Sequence, residues 1–428
     1  MESGQIFCTK SSNEDSKQRI ESSLNRANAA RKNVLLAIYG FTKLELKKTV
    51  KYAAMNIRIE NVSDIDRLRN IESQWNSLVC ECNKNPFLFT CLVKPFISLN
   101  SANNWTPMIV TLSENTKLLG IVPLMVKRTY GLRLFSFILR PPYSPDFIVR
   151  DENEYMKAIV DYLFNSLGCH FLSLDFTGQS RFFENLKQEC DKAGIHYSII
   201  SENGHRILPI RSTWQDFRKL KGGKFRRKFR KIEQNLNKIG EWKVVCANRK
   251  NTYTEVLSKI LEVEKESWKQ TWRAKKGSNI DDVLLAIWEG LSSKAQIQPD
   301  LDWTVWFLEI DNHPIAYALV VVYSGVAYIA KTSYAARYRR FYPGIYVVHV
   351  AIRELWNNGN VRLVDFLTDL KFMETWTDDV ERRVRMVISK NPILPWFFTV
   401  LLRNNHIKRA LSPVIGRVRI SSIRKSSN

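Results

Sequence analysis

The sequence predicts a mixed α/β protein, an α+β mixed sheet in which one unit occurs twice in tandem. Three observations carry this. Alternating, β-branched runs at Trp303–Ile310, Pro314–Tyr323 and Val326–Thr332 are separated by Asp311-Asn312 and Ser324-Gly325, the pattern of three strands in hairpin succession. Apolar positions then recur at helical spacing (Ile345, Val348, Ile352, Leu355) between Pro343-Gly344 and Asn358-Gly359, and a strand follows at Val361–Phe366. The same order stands earlier in the chain, as strands at Met108–Leu112, Leu118–Lys127 and Leu132–Ile138, a loop, a helix at Glu152–Leu167 and a strand at His170–Phe176. Both copies carry an early proline around the second strand (Pro123, Pro314) and end in Asp-Phe (Asp175-Phe176, Asp365-Phe366).

The remaining elements follow from local signals. Residues 1–50 begin with a polar Ser/Asn/Glu-rich segment, pass into a possible helix within Ala29–Lys48, and read as a flexible extension. Residues 51–210 form the first unit. It opens with a short strand at Asn56–Ile59 and a helix capped near Ser63 or Asp64 that carries Leu68, Ile71, Trp75 and Leu78 on one face. Asn85-Pro86 stops it, a helical run Phe87–Leu99 follows, and after the first Asp-Phe strand, His170–Phe176, come a helix at Arg181–Ala193 and short strands around Tyr197–Ile200 and Arg206–Ile210. Residues 211–390 form the second unit, with helices at Thr252–Arg273 and Asp281–Leu291, and 391–428 a basic tail with an apolar helix candidate at Pro395–Arg403.

Length and composition bound the function. At 428 residues the chain holds two cores of roughly 150 residues each. A net charge of +23 calls for an anionic partner: cofactor phosphates, nucleic acid or a membrane surface. Seven cysteines without a CxxC pair argue against a disulfide framework or a zinc site, so no metal is expected. The N-terminus has no secretory pattern, and the longest apolar runs, Ile315–Tyr323 and Ile393–Leu402, fall well short of the roughly 18 residues a spanning helix needs. A cytoplasmic protein without a transmembrane segment is the expectation.

Candidate chemistry concentrates in the second unit. A helix opening at Pro343-Gly344 points first-turn N–H groups at an anion, and Arg339 and Arg340 add charge, which makes a pyrophosphate cradle; an ordinary β-turn-α connection with solvated arginines is the competing reading. The first unit's equivalent loop is rich in proline and acid (Pro141, Pro142, Asp146, Asp151, Glu152) and suits phosphate poorly. Between the units, Phe217–Lys231 holds nine Lys/Arg and no acid, interrupted by Gly222-Gly223, which break or delay a helix there. This run neutralises an anionic acceptor, grips nucleic acid, touches a membrane, or is a solvated helix face. Beyond Glu381 stand eleven Lys/Arg and no acid, a tail that docks on the second unit or makes peripheral membrane contact.

These residues resemble the GNAT acyltransferase superfamily, and within it the tandem branch of FemAB peptidoglycan-bridge enzymes and CelD-like (BioF-type) acetyltransferases. The resemblance lies in Glu266-Ser-Trp-Lys269, Pro314-Ile-Ala316, Ala327 through Tyr334, Tyr338 through Gly344, and Asp365-Phe-Leu-Thr-Asp369 with Trp376; it covers roughly 213–389 well and 56–210 by pattern. It implies two tandem GNAT-like domains, the first without cofactor, with acyl-CoA, most simply acetyl-CoA, between splayed strands in the second and its pyrophosphate at Arg339, Arg340, Gly344, Ile345 and Tyr346. Trp268, Lys331 and Arg227 are the candidate substrate-binding residues. The chain departs from the family at Thr368-Asp369, where Gly-Asp is common, and at Phe372-Met373, where Tyr-Lys is common, so one lysine of the pattern is missing.

Acyl transfer from a thioester to an amine needs a base, a carbonyl-polarising N–H and a proton for the thiolate. Asp365 or Asp369 serves as base, and Tyr328, Tyr334 or Tyr346 as acid; helix capping and core packing are the competing roles. Cys246 lacks a placed histidine and is rejected as a nucleophile. The acceptor is a small-molecule or cell-envelope-precursor amine. Two rival readings stand: a FemAB-like transferase using aminoacyl-tRNA, and a non-catalytic binder of nucleic acid or an anionic membrane surface.

Overall fold

Turn chemistry sets the strands. Asp311 (φ 51°) and Asn312 (φ 66°) both take the left-handed conformation of a two-residue hairpin turn, and Ser324 (φ 49°) with Gly325 (φ 74°) repeat it one hairpin later. The computed structural model describes residues 49–396 apart from 53–56, 64, 130, 140, 144, 178–179, 271–280 and 293–299. The helix expected within Ala29–Lys48 and nearly all of that at Pro395–Arg403 lie outside the described residues.

The described elements of the first half are β1 (Thr49–Tyr52), β2 (Ile57–Val62), α1 (Ile65–Glu81), α2 (Thr90–Ser101), β3 (Thr106–Glu114), β4 (Lys117–Thr129), β5 (Leu132–Phe137) and β6 (Ile148–Val149). They continue as α3 (Glu152–Asp161), β7 (Phe171–Thr177), α4 (Arg181–Lys192) and β8 (His196–Pro209). The second half holds α5 (Trp214–Leu236), β9 (Trp242–Asn248), α6 (Tyr253–Lys265), α7 (Asp282–Ser292), β10 (Asp302–Ile310), β11 (His313–Tyr323) and β12 (Val326–Tyr334). A short 3-10 turn (Ala336–Phe341), α8 (Pro343–Asn357), β13 (Leu363–Asp365), a second 3-10 turn (Lys371–Thr375) and β14 (Val380–Ser389) complete it.

The expected mixed α/β class and the repeated element order hold. Each half has an antiparallel meander, then a helix, then a strand parallel to the last of the meander: β5 with β7 in one half, β12 with β13 in the other. All fourteen strands among the described residues belong to one sheet, ordered β1-β2-β3-β4-β5-β7-β14-β8-β13-β12-β11-β10-β9, with β6 against β4. The halves exchange their last strands. β14, from the end of the second half, lies between β7 and β8, while the end of β8, from the first half, pairs with β13.

Alternation along each strand divides the sheet into faces. Leu308, Ala316, Ala318, Val320 and Ile329 pack against α5 and α8, whereas Phe307, Tyr317, Leu319 and Val321 face a second core shared with Trp75 of α1 and Leu92 of α2. The first half's helices α1 and α2 are therefore part of the second half's core. A third core lies under α3 and α4.

Several segments differ from expectation. The two short strands around Tyr197–Ile200 and Arg206–Ile210 are one strand, β8, long enough to reach two neighbours. Strands β9 and β14 are present where none was anticipated. The helix expected over Thr252–Arg273 ends at Lys265. The break expected at Gly222-Gly223 is there: Gly222 is non-helical (φ 77°, ψ −170°), so α5 is two helical segments meeting at a kink, the first opening at a Thr213 cap whose hydroxyl oxygen accepts from the Asp216 amide at 3.2 Å and the second reaching Leu236.

Candidate active site

The parallel pairing of β12 with β13 is short. Val326, Ala327 and Tyr328 stand opposite Leu363, Val364 and Asp365, and beyond this point β12 runs on to Tyr334 without β13 beside it. Two strands that part in this way leave a gap that opens towards the N-terminus of α8. Just past the last pair, the register of β12 on β11 shifts: Leu319 faces Lys331 and Val320 faces Ile329, so Ala330 has no partner across the ladder. Such a bulge bends its strand and turns backbone groups out of the ladder.

At the open end, Pro343 is the first residue of α8, and the Tyr342 carbonyl accepts from the Ile345 and Tyr346 amides, both at 3.1 Å. The first-turn amide left over is that of Gly344. A side chain at Gly344 would place its Cβ 3.0 Å from Cδ1 of Tyr334, so glycine here lets the Tyr334 ring lie against the helix start. Tyr334 stacks in turn on Trp268 (centroids 6.4 Å, 28°), which reaches it because Ser267 bridges to Ala335 and shares a 2.8 Å hydroxyl contact with Ser333. Arg339 and Arg340 are exposed on the adjoining turn and form no ion pair among the described residues; the Arg340 guanidinium lies 4.7 Å from the Phe341 ring centre. Tyr342 itself is held at φ 54°, ψ 42°, a left-handed conformation uncommon for a bulky residue. In the first half the equivalent helix is already capped: the Asp151 carboxylate accepts from the Asn153 and Glu154 amides.

At the closed end, Asp365 is buried. Its Oδ1 accepts from the amide of Leu367, a residue at φ 58°, at 2.7 Å, and its Oδ2 lies 3.4 Å from His205 Nε2. Burial raises the Asp365 pKa above the usual carboxylate value, against the pull of His205 and Arg383. The same His205 nitrogen is 3.2 Å from Glu381, and Arg383 donates to the carbonyls of Leu367 (3.1 Å) and Pro142 (2.6 Å). Tyr328, opposite Asp365, packs edge-on against Phe87 of the first half, and burial beside Asp365 raises its pKa as well.

The structure brings Tyr334, Gly344 and Trp268 together at one end of the gap and Tyr328 with Asp365 at the other. It gives different surroundings to the rest of the candidate residues. Asp369 is bound by Arg206 (2.6 Å), which also holds the Thr377 carbonyl and Glu374. Tyr346 turns its hydroxyl to Glu233 (2.9 Å) and lines an open cleft of ≈ 490 Å³ with Trp242, Trp306 and Arg353, so of its groups only the backbone belongs to the helix start. Ile345 is half-buried against the α5–α8 core. Lys331 pairs with Asp281 at 3.1 Å; burial opposes its charge, but Tyr143 and Asp281 prevail and hold its pKa above the usual lysine value. Arg227 is exposed on α5.

Sequence reasoning missed His205, Glu381, Arg383 and the Ala330 bulge. The signal for the bulge was present, since Ile329-Ala330 breaks the strict alternation of β12 and both side chains are buried.

Residues 223–372 match the family model described as an acetyltransferase (GNAT) domain. Of solved structures, that described as FemX aligns with a TM-score of 0.51 at 10% identity, covering 76% of this chain and 98% of the other, and so shares the fold across both halves. The C-terminal domain of a putative lysylphosphatidylglycerol synthetase from Agrobacterium fabrum aligns at 0.47 with 12% identity (78% and 96% covered). A tandem GNAT protein from the clavulanic acid biosynthesis pathway aligns at 0.42 with 12% identity (78% and 99%). No curated protein matches by sequence.

Proposed function

We infer, from the match of residues 223–372 to the acetyltransferase (GNAT) domain model, that this protein transfers an acyl group from acyl-CoA, most simply acetyl-CoA, to an amine. The observation that supports this best is the gap where β12 leaves β13, with the Ala330 bulge at its base and the basic start of α8 at its mouth. A pantetheine arm is extended and hydrogen-bonds like a strand, so it suits an unpaired strand edge, and its pyrophosphate suits the Gly344 amide with Arg339 and Arg340.

In this reading the acceptor nitrogen attacks the thioester carbonyl, the C–N bond forms and the C–S bond breaks. The backbone at the bulge polarises the carbonyl. Asp365 takes the proton lost by the amine, a task suited to a carboxylate of raised pKa, and Tyr328, kept protonated by burial, supplies the proton to the departing thiolate. Asp369, neutralised by Arg206, is left out of the chemistry.

The test is calorimetric titration of acetyl-CoA into the wild type and into Gly344→Glu. Binding to the first and loss in the second supports the cradle and reduces the problem to finding the acceptor amine. Equal binding by both removes the cradle from the reading. No binding by either, with retention of charged tRNA instead, replaces acetyl-CoA by an aminoacyl donor.

A further inference from the structure

The helix α5 has one apolar side and one basic side. Phe217, Phe225, Phe229, Ile232 and Leu236 are buried against α8 and the sheet, while Arg218, Lys224, Arg226, Arg227, Arg230 and Lys231 are exposed, and no acid occurs from Phe217 to Ile232. A solvated helix face ordinarily mixes both signs of charge; between Asp216 in its first turn and Glu233 near its end, this one does not.

Exposed apolar side chains stand on α5 and beside the two turns that contact it. Leu220, between Lys219 and Lys221 and two residues before the Gly222 kink, is 84% exposed. The turn Ala336–Phe341 packs against α5 and leads from Arg339-Arg340 to Tyr342, 56% exposed. The turn Lys371–Thr375 is tied to α5 by Lys228, which donates to the Thr375 hydroxyl at 2.8 Å, and Leu370 in front of Lys371 is 52% exposed. One arrangement, an exposed apolar residue beside cations, thus occurs on three neighbouring elements.

We propose that this surface, the outward side of α5 with the two turns beside it, docks on an anionic lipid bilayer. Lysine and arginine concentrate at the negatively charged headgroups, and leucine and tyrosine side chains enter the boundary between headgroups and acyl chains. The same charge attracts nucleic acid, and Tyr342 has a face on which a base could stack, but a single-strand surface is built from such planar groups and the protruding leucines offer none. Leu220 and Leu370 therefore favour lipid. The proposal rests first on α5 and the Lys371–Thr375 turn, so it stands whether or not Arg339 and Arg340 hold a pyrophosphate beside the gap.

The experiment is co-sedimentation of the full chain with vesicles of phosphatidylglycerol and phosphatidylcholine in equal parts, and with vesicles of phosphatidylcholine alone. Binding is expected to the first only, released as salt rises from about 0.1 to about 0.5 M. Leu220→Glu, and separately the pair Arg227→Glu and Lys231→Glu, each weaken it about tenfold or more. Both variants replace exposed residues, so their urea unfolding midpoints should match the wild type. Equal binding to neutral vesicles overturns the proposal. So does anionic binding that neither variant changes, since the contact then lies elsewhere on the chain. An RNA duplex that displaces the protein from vesicles, and whose own binding ignores Leu220→Glu, overturns it in favour of nucleic acid.

Discussion

Asp365 and Asp369 are four residues apart and chemically identical, yet their surroundings separate their roles. Asp369 is half-exposed and holds Arg206, so Asp369→Asn should cost about 1 kcal/mol of stability and leave acetyl-CoA affinity unchanged. Asp365 is surrounded differently: it shares His205 with Glu381 and is largely dehydrated. Asp365→Asn keeps an oxygen for the Leu367 amide but removes the base, and we expect transfer to the acceptor to fall about 100-fold or more with donor binding intact. Because burial raises its pKa, the acid limb of the wild-type rate profile should lie above the ordinary value of 3.8, since the carboxylate acts only when deprotonated. A limb at the ordinary value, or full activity in Asp365→Asn, would assign the base to another residue.

The contact between α5 and α8 turns on one histidine. His349 lies flat on Phe229 (3.4 Å, 9°) with Trp214, Phe225 and Tyr346 around it, and its Nδ1 has no hydrogen-bond partner. Burial, reinforced by Arg353, Arg218 and Lys228, lowers its pKa from 6.5 to about 3. The unfolded chain therefore binds this proton from about pH 6.5 downward while the folded protein refuses it, so stability falls as pH drops through that window. Between pH 7 and pH 5 this one group should remove about 2 kcal/mol, and His349→Phe should remove that part of the slope in urea melts. A second element contact is steric: a Cβ on Gly290 of α7 would come within 2.5 Å of the Cys91 carbonyl of α2, so Gly290→Ala should destabilise the protein by about 2 kcal/mol by forcing apart two helices from different halves. At this scale the sequence was a good guide where turn and cap residues announce themselves, as at Asp311-Asn312, Ser324-Gly325 and Pro343-Gly344, and the three hairpin strands and α8 fell within a few residues of their places. It failed at β14, where Val384, Met386 and Ile388 do alternate but Arg383 before them and Arg385 among them read as part of an acid-free basic stretch rather than as a strand. Those arginines are instead spent on buried partners, Arg385 on Asp175 at 2.8 Å and Arg383 on backbone carbonyls from both halves, contacts that no local pattern encodes. His205 was hidden for the same reason, since its two carboxylates come from positions more than 150 residues further along the chain.

For the whole molecule, the exchange of β8 and β14 has a direct consequence for how the chain folds. A cut near residue 210 divides the tandem repeat in sequence, but it strips β14 from its place between β7 and β8 and takes β8 away from β13. It also removes α1 and α2 from the core that they complete for the second half. Each fragment would expose unpaired strand edges and apolar surface, which favours aggregation over folding. We therefore expect residues 1–210 and 211–428, expressed separately, to be insoluble or to lack cooperative melts, and the full chain to unfold in one transition seen alike by tryptophan fluorescence and by circular dichroism. The buried tryptophans Trp75, in the first half, and Trp288 and Trp376, in the second, make fluorescence report on both. Two separated transitions, or a soluble and cooperatively folding 1–210 fragment, would show that the exchanged strands do not bind the halves into one folding unit. The gap beside β12 would then rest on the second half alone rather than on the joint where Arg383, anchored to Pro142 of the first half, closes it beneath Asp365.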